Sequence, residues 1–191
     1  MKDQKDIPRV EIAALSELEV WLERHHGDDE SVWLVTWKAA YPGKYVSREQ
    51  VLDVLVMFGW IDGRRMKLDD DRTMQLISKR KQQIWAQSYK DRAARLIEEG
   101  RMHSAGQAAI DAARGSPLWD ADAVVDALKV PDDLAGALGD LEARAWFDGA
   151  APSYRRNVLR WIHRAKTEPT RNKRVGLVAQ AAARSEKVPQ F

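Results

Sequence analysis

The stretch from Phe58 to Gly106 constrains this chain more than any other. It reads FGWIDGRRMKLDDDRTMQLISKRKQQIWAQSYKDRAARLIEEGRMHSAG. Two strand-like runs, MKL and TMQLIS, flank Asp69-Asp70-Asp71. Aspartate side chains bond nearby backbone and tolerate unusual dihedrals, so the triplet predicts a hairpin turn. A helix is expected from about Ile84 to Glu99, with Trp85, Tyr89, Ala93, Leu96 and Ile97 at helical spacing and Gly100 as its stop. A hairpin running into a long amphipathic helix commits the middle of the chain to mixed secondary structure.

The flanks extend that pattern. Residues 1–8 are polar and expected to fray. Val10-Glu11-Ile12 reads as a short edge strand. Ser16 with Glu19 predicts a capping box for a helix through His25, whose apolar face is Leu15, Leu18, Trp21 and Leu22. Ser31 to Lys38 is rich in β-branched and aromatic residues and reads as a strand. Ser47 and Gln50 predict a second capping box, opening an apolar helix Arg48–Phe58 that Gly59 ends. Beyond the hairpin, Ser104–Arg114 is helical, Asp120 is placed to cap a short helix to Lys129, and Pro131 opens another from Asp132 to about Leu138. Three amphipathic segments follow, Leu141–Phe147, Ser153–Ala165 and Thr170–Arg184. The expected fold is α+β: a small antiparallel sheet packed by helices over residues 1–130, then a helical basic C-terminal module over 131–191.

At 191 residues the chain buries about 70% of its unfolded surface, enough for a core without staples. It has no Cys, which excludes disulfides and thiolate metal sites. No apolar run has signal-peptide or membrane-span character, so a soluble cytoplasmic protein is expected. Charge is unevenly placed. From Ala151 onward ten Lys/Arg face only Glu168 and Glu186, a net of +8, whereas the first 150 residues carry 21 bases and 27 acids, a net of −6. That split points either to an anionic partner or to a basic tail docked on an acidic body.

The order FGWIDG at 58–63, hairpin, Arg80, Trp85, LIEEGRM at 96–102 and Ala105-Gly106 resembles the YdeI/OmpD-associated family, also labelled bacteriocin-protection proteins. The closing segment APSYRRNVLRWIHRAKTEPTRNKRV at 151–175 resembles that family's P-S-x-R-R…W-I…A-K…E-T-R…R-R pattern. The resemblance extends over nearly the whole chain. It implies a YdhG-like α/β fold with a helical tail, and bacterial roles in envelope stress, cationic-peptide resistance and bacteriocin protection. Two departures stand out. The family's Cys before FGW is Met57 here, and its W-S-x-x-N reads Trp85-Ala86-Gln87-Ser88-Tyr89. The second departure implies a loss of pocket polarity at Ala86 and Tyr89.

Two sets of residues are candidates for binding. Phe58, Trp60, Asp62, Arg80, Trp85 and Tyr89 form either a cleft in which rings hold a ligand and Arg80 pairs its anionic group, or a hydrophobic core with an Asp62–Arg80 bridge at its rim. Arg155, Arg156, Arg171, Lys173 and Arg174 form either an anion-binding stripe for phosphates of nucleic acid or lipid, or a solvated face bridged to acids such as Glu142, Asp148 and Glu168. His25, His26, His103 and His163 lack metal-ligand spacing, and Asp69–Asp71 lack the Gly and distal Glu of an EF-hand, so no metal site is expected. GxSxG, GxGxxG and P-loop motifs are absent, so neither a catalytic set nor a cofactor is expected. The expected function is non-enzymatic, stress-associated binding. The alternatives are a nucleic-acid-binding module on the basic helices, and an enzyme or binder for a small anionic molecule at Trp60, Arg80 and Trp85.

Overall fold

The computed structural model describes residues 7–81 and 84–190. Most of the polar 1–8 stretch therefore lies outside the described residues. The chain divides into two compact units, Met1–Asp120 and Ala121–Phe191.

The first unit runs β1 (Arg9–Ile12), α1 (Leu15–His25), β2 (Val32–Trp37), α2 (Arg48–Met57), β3 (Trp60–Lys67), β4 (Arg72–Lys79), α3 (Gln87–Glu98) and α4 (Ser104–Arg114). The sheet order is β1-β2-β4-β3. It is mixed rather than antiparallel: β1 lies parallel to β2, with Val10 opposite Leu34, while β4 is antiparallel to both β2 and β3. The reason is the connection. β1 reaches β2 through α1, and a helical crossover returns the chain in the same direction. The hairpin strands are eight residues each, longer than the two runs in the sequence, because a bulge between Asp62 and Arg65 absorbs the Gly63-Arg64 irregularity. At the turn, Asp69 Oδ1 accepts from the amides of Asp71 (3.0 Å) and Arg72 (2.7 Å), which closes it.

Helix starts match the sequence at one place and not at another. Ser47 and Gln50 form the reciprocal box, at 3.2 and 2.9 Å. Ser16 caps nothing: α1 begins at Leu15 after Ala14, and Glu17 folds back to accept from the Ala13 amide at 2.7 Å. α3 also starts later than its apolar spacing indicates. Trp85 precedes the helix, in extended chain tied to Leu118 by a 3.3 Å backbone bond.

Two apolar clusters fill this unit. Leu18, Leu22, Leu34, Leu55, Trp60 and Ile77 lie between sheet and helices; Val56, Trp85, Leu96 and Ile110 lie beneath α3 and α4. Glycines set the close approaches. Gly59 has φ +73° and reverses the chain after α2, and its carbonyl accepts from the Arg80 amide at 2.8 Å. A Cβ on Gly106 would lie 2.1 Å from the Met57 carbonyl oxygen, so α4 crosses the end of α2 backbone to backbone.

The second unit is helical: α5 (Ala123–Asp126), α6 (Asp132–Asp140), α7 (Arg144–Gly149), α8 (Pro152–His163) and α9 (Glu168–Ala183). Leu134, Leu138, Phe147, Val158, Ile162 and Val178 form its core. The expected helix Leu141–Phe147 is broken: Glu142 takes φ +51°, α7 begins at Arg144, and Leu141 is 45% exposed. Asp120 does not cap the short helix, which starts beyond Asp122.

Candidate functional site

The aromatic candidates separate into core and cleft. Trp60 is fully buried; its ring nitrogen donates to the His26 carbonyl at 3.1 Å and its ring meets Trp21 edge-on at 5.5 Å. Trp85 is buried against Trp119, ring centroids 5.2 Å apart. Asp62 receives the Tyr89 hydroxyl, the Gln75 amide at 2.7 Å and Arg48 at 3.5 Å. The hydroxyl of Tyr89 thus keeps a polar group where the family pattern has Asn. Asp62 makes no bridge to Arg80, and its pull on that residue acts only through space.

Arg80 is the unusual residue. It is 6% exposed, with its guanidinium 4.0 Å above the Trp85 ring and 4.9 Å from that of Tyr89. Among the described residues its guanidinium makes one long hydrogen bond, 3.5 Å from Nη1 to the Ile84 carbonyl; Nε and Nη2 are buried without a partner. Burial depresses its pKa to about 10, with Asp62 pulling the other way, so the side chain is still a cation at neutral pH. A buried charged donor left unmade is costly, and such sites call for an explanation.

Arg80 lies on the wall of a cleft of about 450 Å³, which Phe58, Gly59, His26, Gly27, Lys79 and three alanines of α4 complete. Among the described residues every charged or titratable side chain on that wall is a base, whereas the neighbouring 430 Å³ groove along α1 mixes Glu19 and Glu23 with Arg24. Lys79 Nζ donates to the Gly27 carbonyl at 3.2 Å. His26 Nδ1 lies 3.2 Å from the carbonyls of Leu22 and Glu23, which fixes the proton on that nitrogen and turns Nε2 outward from the helix end. The His26 ring sits 4.9 Å from that of His103, whose Nδ1 accepts from the Ala105 amide at 3.1 Å and so caps α4. Sequence spacing carries no signal for this pair; the Gly59 reversal and the Gly106 crossing bring the two histidines together. Of the ligand candidates, then, Phe58 and Arg80 line the cleft, Tyr89 and Trp85 hold Arg80 from behind, and Trp60 and Asp62 support the fold.

The basic candidates of the second unit are mostly engaged within it. Arg155 donates to the Asp148 carbonyl at 3.2 Å and lies over the Phe147 ring. Arg171 makes a two-pronged pair with Asp133, at 2.6 and 3.0 Å. Arg174 donates to the Trp161 carbonyl and covers its ring. Arg160 and Arg164 converge on the buried Asp122 at 2.8 and 3.1 Å. Lys173 is exposed and Arg156 half-buried. Of the expected acidic partners, Asp148 serves; Asp122 and Asp133 take the places proposed for Glu142 and Glu168. Counted over the unit from Ala121 onward, twelve bases face nine acids, a net of +3, so much of the apparent excess is answered locally.

The Arg171 bond holds the Asp133 carboxyl below its usual range, against a smaller opposing effect of burial. A depressed carboxylate contributes stability above its unfolded pKa and loses it as pH falls through the folded value. Arg171→Gln should therefore cost about 1 kcal/mol or less at neutral pH, the pair being about a third exposed. It should also flatten the fall in stability as pH drops through the carboxylate range in urea titrations.

Among the described residues no group of three or more His, Asp or Glu is placed to hold a metal ion, and no helix is long and apolar enough to cross a membrane. Residues 10–109, more than half of the chain, match the family described as Domain of unknown function (DUF8412). The chain belongs to that family. Residues 127–185 match the family described as Bacteriocin-protection, YdeI or OmpD-Associated. The resemblance to the latter is thus shown in the second unit, whereas the motifs at 58–106 fall inside the DUF8412 match. The candidate cleft, formed between His26 and Ala109, lies wholly within the DUF8412 region. No curated protein and no solved structure matches the chain at a significant level.

Proposed function

We propose that this DUF8412 protein acts by binding rather than by catalysis, holding a small anionic molecule in the Phe58–Arg80 cleft, as a cytoplasmic component of a bacterial stress response. The observation that carries the binding reading is Arg80: a buried cation with two unpartnered nitrogens, on a residue that lines a cleft whose charged groups, among the described residues, are all basic. An anion there satisfies donors that otherwise stand as a standing cost. The stress association rests on the bacteriocin-protection description matched at residues 127–185.

A ligand specific for the folded state adds about 2.7 kcal/mol of stability at a hundredfold excess over Kd, and so raises the melting temperature by mass action. A thermal-shift screen of small acids, amines and neutral polar compounds is expected to favour the acids. Arg80→Gln should remove the response. Stabilisation by amines, or by acids equally in wild type and variant, would contradict the reading. Because the α8 and α9 arginines are largely paired within their own unit, duplex DNA should bind only weakly, with Kd about 10⁻⁴–10⁻⁶ M at physiological salt. A sequence-selective Kd below about 10⁻⁸ M would favour a nucleic-acid partner instead.

A further inference from the structure

We infer that the cleft recognises a carboxylate, gripped side-on by Arg80, on a small molecule whose apolar remainder lies along the alanine face of α4. This rests on the anion-binding reading above and narrows it to one ligand chemistry.

A guanidinium presents its donors along distinct edges. Nη1 of Arg80 is directed to the Ile84 carbonyl. Nε and Nη2 share another edge, with N–H bonds nearly parallel and spaced to meet the two oxygens of a carboxylate. Those two nitrogens are the ones buried without partners. The Trp85 and Tyr89 rings, 4.0 and 4.9 Å from the guanidinium carbon, hold the group in place. Both nitrogens are shut off from water in this structure, so binding requires the wall of the cleft to move and uncover that edge.

The remainder of the wall sets the remainder of the ligand. Ala105, Ala108, Ala109 and Phe58 offer no side-chain hydrogen bonds. A volume of about 450 Å³ lies within the roughly 300–1,000 Å³ of small-molecule sites. Phosphate fits less well. A dianion with several acceptor oxygens wants further donors, and Lys79 is already directed to the Gly27 carbonyl.

The test follows arginine Nε–H resonances of the ¹⁵N-labelled full chain during titration with benzoate, acetate and inorganic phosphate. One resonance, lost in Arg80→Lys, should shift with benzoate. Benzoate should bind at least tenfold tighter than acetate or phosphate. Arg80→Lys keeps the charge but not the fork, and should weaken benzoate and acetate alike by tenfold or more. Ala108→Leu, at an exposed helix position that tolerates the change, should weaken benzoate about tenfold and leave acetate unaltered. If Arg80→Lys does not fold, the Ala108→Leu comparison and the wild-type Nε–H shifts still decide. Phosphate binding tighter than benzoate overturns the carboxylate assignment while leaving an anion site. Benzoate binding indifferent to Ala108→Leu overturns the placement of the apolar part. No Nε–H shift with any of the three anions overturns both this inference and the reading on which it rests.

Discussion

Trp85→Ala is expected to destabilise the first unit by about 3–5 kcal/mol, the usual range for emptying a buried aromatic site. The ring is 2% exposed and shares a cluster with Val56, Leu96 and Ile110, all closed to water. It also packs at a tilt against Trp119 and forms the surface on which Arg80 lies. The variant therefore loses burial, leaves a cavity and frees the Arg80 side chain together. Urea unfolding of the intact chain should show the lower midpoint, and the acid-dependent thermal shift should disappear even at temperatures where the variant is folded. Trp161→Ala makes a useful contrast. That ring is only half-buried and covered by Arg174, so its loss should cost less. A Trp85→Ala protein within about 1 kcal/mol of wild type would mean that the ring is not core.

Gly106→Ala is the second large effect, and it adds one methyl group. The new Cβ would lie 2.1 Å from the Met57 carbonyl oxygen and 2.6 Å from the Met102 sulfur. The thioether can swing aside, but the carbonyl is backbone at the end of α2 and cannot move without the helix. Overpacked cores lose about 1–3 kcal/mol, sometimes more, and a backbone clash belongs at or beyond the upper end. The unfolding midpoint should fall accordingly. Because the α2–α4 crossing also sets one wall of the cleft, anion binding should weaken even where the variant is folded. Gly136→Ala is the control: nothing lies within 4 Å of the Cβ it would add, and it replaces a mid-helix glycine. It should be neutral or mildly stabilising, by up to about 1 kcal/mol.

Much of this fold could be read from the chain, for local reasons. The Ser47–Gln50 box, the stops at Gly59 and Gly100 and the Asp69 turn are written in adjacent residues, and all four are found. Strand pairing is not local. Nothing in Arg9–Ile12 says that it will run parallel to Val32–Trp37; the length of the connection decides that. Ser16 failed as a cap because Glu17 supplied a competing bond from one residue further on. Trp85 fitted a helical stripe by spacing yet lies outside the helix, because burial against Trp119 and a backbone bond to Leu118 outweigh one more turn.

The site was legible to the same degree. Arg80 and Phe58 stood out as a cation and a ring on either side of a hairpin, and both line the cleft. Trp60 and Trp85 belong to the same aromatic group in sequence, but large rings are mostly buried for packing, and both lie in the core. No spacing in the sequence groups His26 and Lys79 with the alanines of α4, because tertiary folding alone assembles them. The charge split after Ala151 overstated the basic character of the C-terminal unit because the boundary was drawn inside it, cutting the arginines off from Asp122, Asp133 and Asp148.

The central claim is that Arg80 makes this cleft a binding site for an acid. Crystals of the full chain soaked in the most stabilising acid from the screen test it most directly. Difference density is expected between the Arg80 Nε–Nη2 edge and the alanines of α4, with two oxygens within about 3 Å of those nitrogens. Density for the acid elsewhere, with Arg80 unmoved and still unpartnered at saturating concentration, would contradict it.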